Sequence, residues 1–147
     1  METSMVKIAI AQTDAEIQRC FSVMRQLRPH LVETEFVARI RRQEQQQYRL
    51  VYLDDHQAVK AVSGFRLGEN LSWGRFLYVD DLVTDAGDRS QGYGKTLFNW
   101  LIDYAKAHHC QQLHLDSGVQ RFDAHRFYMN QGMAIRGHHF GLIVSSS

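Results

Sequence analysis

The segment Arg89-Ser90-Gln91-Gly92-Tyr93-Gly94-Lys95-Thr96 joins a strand-like run, residues 73–84, to a strong amphipathic helical pattern. In that pattern Leu97, Phe98, Leu101, Ile102 and Ala105 fall on one stripe. Glycine lowers helix stability by roughly 1 kcal/mol relative to alanine, so Gly92 and Gly94 at a helix start need another cause. Close approach of the backbone to a ligand supplies one. A helix start presents unpaired N–H groups and the positive end of the helix dipole, which together seat a phosphate. Arg89 and Lys95 can add charge-assisted hydrogen bonds, each worth roughly 1.5–3 kcal/mol.

Spacing separates the phosphate sites built this way. A P-loop places a glycine five residues before its Gly-Lys-Thr, and here that position is Arg89. The dinucleotide fingerprint wants a small residue three after its second glycine, and here that is Leu97. Arg-x-x-Gly-x-Gly, formed by Arg89, Gly92 and Gly94, is the pattern that fits.

Working outward, residues 6–11 alternate as a short strand, and Thr13 with Glu16 reads as a capping box. Ile17, Cys20, Phe21, Met24 and Leu27 make one helical stripe that Pro29 closes. Residues 33–46 read as a second helix with Phe36, Val37 and Ile40 inward and Arg39, Arg41 and Arg42 on a solvated face. Residues 48–53 and 58–67 are strands around an Asp54-Asp55-His56-Gln57 hairpin turn, and residues 68–71 form the next turn. After the long helix come a strand at 112–116, a helix at 121–131 capped by Gly132, and strand material at 133–144. The order predicts one α/β (α+β) domain over residues 1–147. Its central mixed sheet is mostly antiparallel, six- to seven-stranded, and flanked by about four helices.

Composition sets the remaining bounds. With 147 residues, 44% hydrophobic and 22% charged, the chain is the size and character of one globular domain. A net charge of +1 marks out neither nucleic acid nor membrane as partner. Two widely spaced cysteines, no leader-like start and no long apolar run lead to a cytoplasmic protein. His108, His109, His114, His125, His138 and His139 do not form a metal-ligand spacing, so no metal is expected.

The Arg89–Gly94 pattern resembles the pyrophosphate-binding motif of the GNAT superfamily of acetyl-CoA-dependent N-acetyltransferases. A second stretch, Ala124-x-x-Phe127-Tyr128-x-x-x-Gly132-Met133, is similar to another signature of that family. The resemblance spans nearly the whole chain. It implies acetyl-CoA as co-substrate, its diphosphate held by the segment from Arg89 and Ser90 onward, on the N–H groups of Gln91, Gly92, Tyr93, Gly94, Lys95 and Thr96. The pantetheine arm would lie along Leu82, Val83 and Thr84 as if it were a strand. A main-chain amide there, Leu82 first, would polarise the thioester carbonyl. An amine would attack directly, so Cys110 needs no nucleophilic role.

Tyr128 stands where the family places its general acid, the alternative being a core tyrosine beside the coenzyme sulfur. Asp80 and Asp81 are the carboxylates that could take the amine's proton, with a water relay as the rival. Strict strand alternation would let only one of them face the site. Arg121 replaces an asparagine that often touches the coenzyme. Glu33, Glu35, His138 and His139 border the region expected for the acceptor. The acceptor is a primary amine of open identity, and a homodimer is compatible with the pattern. A non-catalytic acyl-CoA-binding module on the same fold is the alternative function, although such a module has no need of Tyr128.

Overall fold

The computed structural model describes residues 5–145, and within it the predicted apolar runs become five strands in one sheet, ordered β1-β2-β3-β4-β5. These are β1 (Val6–Ile10), β2 (Tyr48–Asp55), β3 (Ala58–Asn70), β4 (Gly74–Thr84) and β5 (Gln112–Leu115). Neighbours from β1 to β4 are antiparallel, and β5 joins β4 in parallel after a helical crossover. The helices are α1 (Asp14–Arg19), α2 (Phe21–Leu27), α3 (Phe36–Glu44), α4 (Tyr93–Ala107) and α5 (Phe122–Asn130). The chain divides into two compact units, Met1–Leu115 and Asp116–Ser147.

Local chemistry explains the element ends in the first unit. Thr13 and Glu16 form the reciprocal capping box, with the Glu16 amide donating to Thr13 Oγ1 at 3.1 Å. The helical stripe expected as one helix is broken at Cys20, whose amide bonds back only three residues to Ile17 at 3.0 Å. Ile17, Cys20, Phe21 and Met24 stay buried across the break. Glu33–Glu35 is a 3₁₀ turn that leads into α3. The β2–β3 hairpin turns on His56 and Gln57, both with positive φ (55° and 68°), the geometry that matches strand twist. Strand β3 runs on to Asn70, so the residues 68–71 expected as a turn are mostly strand.

One sheet face packs under α1, α2 and α3 through Tyr48, Leu50, Tyr52 and Val62. The other carries α4, where Phe65 meets Trp100 and Tyr104 edge-on at ring-centroid distances of 5.9 and 5.0 Å. Ser63 is fully buried, and its hydroxyl donates to the Asp81 carbonyl at 2.7 Å. That bond satisfies a polar group that would otherwise cost about 1–3 kcal/mol to bury.

The second unit contains α5 and a following extended stretch. Gly132 ends the helix with φ of 91°, as the cap predicted. Residues 133–144 were expected to supply a sixth strand or a sixth and seventh, and this is corrected: the described residues there form no strand. Phe140, Leu142, Ile143 and Val144 are exposed. Gly137 and Gly141 interrupt the alternation, and no described strand provides a ladder for the stretch.

Gly64 shows how tightly the helix-bearing face is set. A Cβ there would fall 1.7 Å from the hydroxyl of Tyr48, which is itself buried. The unfolded-state gain from Gly→Ala is about 0.4–1 kcal/mol, less than the roughly 1–3 kcal/mol cost of overpacking. Gly64→Ala is therefore expected to lower unfolding stability by a net ~1–2 kcal/mol in urea denaturation. Unchanged stability would show that Tyr48 is not fixed.

Candidate active site

Strand β4 is the spine of the site. Its pairing with β5 covers only Phe76–Val79 against Gln112–Leu115. From Asp80 to Thr84 it keeps β3 on one side, while no strand among the described residues lies on the other. Leu82, Val83 and Thr84 therefore stand at an open edge, where main-chain groups can pair with an extended ligand.

At the same place β4 carries a bulge. Gly64 faces Asp81 and Phe65 faces Val79, so Asp80 is the extra residue. Before the bulge Tyr78 and Asp80 point to the α1–α3 face; after it Asp81 and Val83 do. Both carboxylates thus share one face, which corrects the expectation from simple alternation that only one could.

Each carboxylate is tied. Arg66 Nε donates to both Asp80 oxygens, at 3.2 and 3.0 Å. Arg28 Nε donates to Asp81 Oδ1 at 2.9 Å, and Arg28 Nη2 to the Asp80 carbonyl at 2.9 Å. The Tyr48 hydroxyl donates to Asp81 Oδ2 at 2.9 Å. Burial holds the Asp80 carboxyl above the usual carboxylate range, against the pull of Arg66. Burial, then the Asp81 charge, pushes Tyr48 well above the usual phenol value, so it remains a donor.

Arg28, Tyr48, Asp80 and Asp81 help to wall a cavity of about 370 Å³ between the sheet face, α2 and α3. The α3 wall consists of Phe36, Arg39, Ile40 and Gln43, a run at helical spacing. Arg39, expected on the solvated face with Arg41 and Arg42, thus belongs to the inward stripe. Arg41 is bound instead to Asp14 at 2.8 Å and Glu44 at 3.0 Å. Glu33 and Glu35 are exposed and do not line the cavity.

The glycine segment lies at the C-terminal end of β4. Ala86–Gln91 form 3₁₀ turns, and Gly92 caps α4 in the left-handed region with φ of 80°. A Cβ built on Gly92 meets nothing within 4 Å, so the space over this turn is open. The first-turn amides of Tyr93, Gly94 and Lys95 have no acceptor within the helix. Thr96 differs: its amide and its hydroxyl both donate to the Gly92 carbonyl, at 3.1 and 3.0 Å. The expectation that its N–H serves a ligand is corrected accordingly. Arg89 and Lys95 are exposed and form no ion pair among the described residues. Ser90 takes part in the turn through its backbone.

The segment is anchored from three sides. Lys60 pairs with Asp88 at 3.3 Å. Gln26 donates to Asp85 Oδ1 at 2.6 Å and accepts from the Ala86 amide at 2.8 Å. The Tyr93 hydroxyl donates to Asp55 Oδ2 at 2.6 Å, and that bond raises the Tyr93 hydroxyl to about 12.

Tyr128 belongs to the second unit, half-buried on α5. Burial raises its hydroxyl above the usual phenol value, opposed by Arg121. It therefore stays protonated through the neutral range and is chemically able to give a proton. His139 lies 3.6 Å from Asp116 in the same unit. Burial raises both thiols, Cys20 to about 12 and Cys110 also upward, which leaves neither a ready thiolate. Among the described residues no group of three or more His, Cys, Asp or Glu is placed to hold a metal. Among them, too, no helix is long and apolar enough to cross a membrane.

A glycine-capped helix start beside a parted sheet characterises this site, and comparison with known proteins names the family. Residues 11–133 match the model of the acetyltransferase (GNAT) family. An uncharacterized N-acetyltransferase of Bacillus subtilis, YhdJ, is 32% identical over 138 residues, covering 92% of this chain and 97% of its own. The aminoglycoside N-acetyltransferase AAC(6')-Iy, solved with CoA, superposes with a TM-score of 0.84 at 10% identity, covering 97% of this chain and 96% of its own. Glucosamine-6-phosphate N-acetyltransferase from Arabidopsis thaliana gives 0.76 at 19% identity, covering 98% and 100%. The two structures show the fold alone. The chain belongs to the GNAT family and is an acyltransferase of that family, which uses acetyl-CoA.

The Asp80–Arg66 pair yields a pH-dependent prediction. Arg66→Met leaves Asp80 ionised and partly buried at neutral pH and raises its folded-state pKa further. The penalty exists above that pKa and disappears as the carboxyl protonates below it. Partial solvent access keeps it below that of a fully buried pair. Urea unfolding is expected to show a loss about 1–2 kcal/mol larger near pH 7 than near pH 4. An equal loss at both would remove the charge from the explanation.

Proposed function

We propose that this protein moves the acetyl group of acetyl-CoA to a primary amine by direct attack, with both substrates bound together. The observation that carries the reading is the open left-handed turn at Gly92 beside the free edge of Leu82–Thr84. Bound acetyl-CoA supplies the activated acetyl group as a thioester.

The chain's own groups then have distinct tasks. The amides of Tyr93, Gly94 and Lys95, with the Arg89 and Lys95 side chains, hold the diphosphate. Main-chain groups of Leu82, Val83 and Thr84 align the pantetheine amides, and one N–H of this stretch polarises the thioester carbonyl. The acceptor enters the cavity walled by α2, α3 and β4. There Asp80 or Asp81 takes the amine's proton, directly or through water. Asp80, held above the usual carboxylate range, is the better matched base. Tyr128 gives its hydroxyl proton to the departing sulfur, a role supported by its position in the Ala124–Met133 motif and by its protonated state at neutral pH.

Release of free CoA thiol from acetyl-CoA across a panel of primary amines tests the reaction; no release with any amine, while CoA still binds, refutes it. Tyr128→Phe is expected to slow single-turnover transfer by roughly 10²–10⁴-fold with CoA affinity little changed, and an unaltered rate rules out the acid. The acidic limb of the pH–rate profile is expected to vanish in Asp80→Asn or Asp81→Asn. Its survival in both excludes a carboxylate base.

A further inference from the structure

The cavity beside the two aspartates is lined by one guanidinium that neither of them engages. Arg28 and Arg66 already neutralise Asp81 and Asp80. Arg39 also lines the cavity, where Arg66 does not, and it is bound to neither carboxylate. Among the described residues Arg39 has no ion pair, no hydrogen bond from its side chain and no aromatic face beneath it. Its neighbours in the same helix turn differ. Arg41 is fully engaged with Asp14 and Glu44, while Arg42 is exposed and lies outside the cavity.

Position strengthens the case. Arg39 occupies the stripe Phe36-Arg39-Ile40-Gln43, where an apolar residue would complete the core face. Placing a cation there costs desolvation that an apolar residue avoids. His30 adds a second uncommitted polar group at the same wall. The lining also offers apolar surface from Met24, Leu31 and Phe36. A cavity of about 370 Å³ is the size that takes a small molecule. A plain alkylamine or polyamine would bring an ammonium past the unpaired Arg39 guanidinium and leave it unanswered.

We propose that the acceptor is a small amine that also carries an anionic group, carboxylate or phosphate, and that Arg39 binds this group. The proposal rests on the acetyltransferase reading and names the substrate class for the same cavity. The guanidinium fork suits either anion bidentately. Held there, the anion keeps its amine from wandering and leaves the amino end free to meet Asp80 and Asp81.

The test uses matched amines with the full-length enzyme, acetyl-CoA and thiol detection. Each set contains an amino acid, its carboxamide and its decarboxylated amine; a second set pairs an amino sugar with its phosphate ester. At least one anionic member is expected to exceed its uncharged counterpart in kcat/KM by about 10–100-fold, the value of a charge-assisted pair. Which set shows the preference tells carboxylate from phosphate. Arg39→Ala is expected to bring the ratio close to one, chiefly through KM for the acceptor. Arg39→Lys should restore part of it, and Arg42→Ala should leave it intact. Calorimetric CoA binding by Arg39→Ala, expected to match wild type, shows that the variant is folded. Turnover with no anionic preference, or a preference that survives Arg39→Ala, overturns this proposal alone. No turnover on any amine overturns the acetyltransferase reading and this proposal with it.

Discussion

The parting of β5 from β4 after Val79 is the constraint on which the site depends. A paired β4 would have its main-chain groups satisfied on both sides and nothing to offer a ligand. Because the pairing stops, Asp80–Thr84 present one open edge. The bulge at Asp80 sits at the same point and turns two successive carboxylates onto one face. One local irregularity thus creates a ligand edge on one side of the strand and an acidic pair above the sheet.

Such an arrangement is costly, and its supports are visible. Two adjacent carboxylates on a half-buried face would repel each other without compensation. Arg28, Arg66 and Tyr48 supply it, and Arg28 also ties down the Asp80 carbonyl at the bulge. Tyr48 in turn fits only because residue 64 has no side chain. The turn before α4 is fixed separately by Lys60, Gln26 and Asp55, each from a different part of the first unit. Rigid placement of the amides at Tyr93–Lys95 would lower the ordering cost of the proposed diphosphate binding.

Much of this was legible in the sequence because it is local. The capping box, the hairpin, the α4 stripe and the glycine turn before α4 are each encoded within a few residues, and they appear where the residues place them. The Arg89–Gly94 spacing alone set this glycine turn apart from two other phosphate-site patterns. What could not be read depends on partners distant in sequence. The bulge is set by the β3–β4 register, so alternation along β4 could not show that both aspartates share a face. Arg39 looked solvated because a cation in an inward stripe makes sense only once the cavity is known. Met133–Val144 carries strand-like residues, yet a strand also needs a ladder, which sequence pattern does not guarantee. The Thr96 amide was counted among ligand donors although it closes the first helical turn onto Gly92.

The account stands on bare amides at a glycine-capped helix start recognising a diphosphate. Calorimetric titration of wild type and Gly92→Val with CoA, and with pantetheine, which lacks the diphosphate, tests this most directly. A valine at a left-handed position strains the turn and covers the open space above it. CoA is predicted to bind wild type at least about tenfold more tightly than pantetheine, and the variant is predicted to lose that advantage. Equal affinity of the wild type for the two ligands, or full retention of CoA binding by the variant, would contradict it.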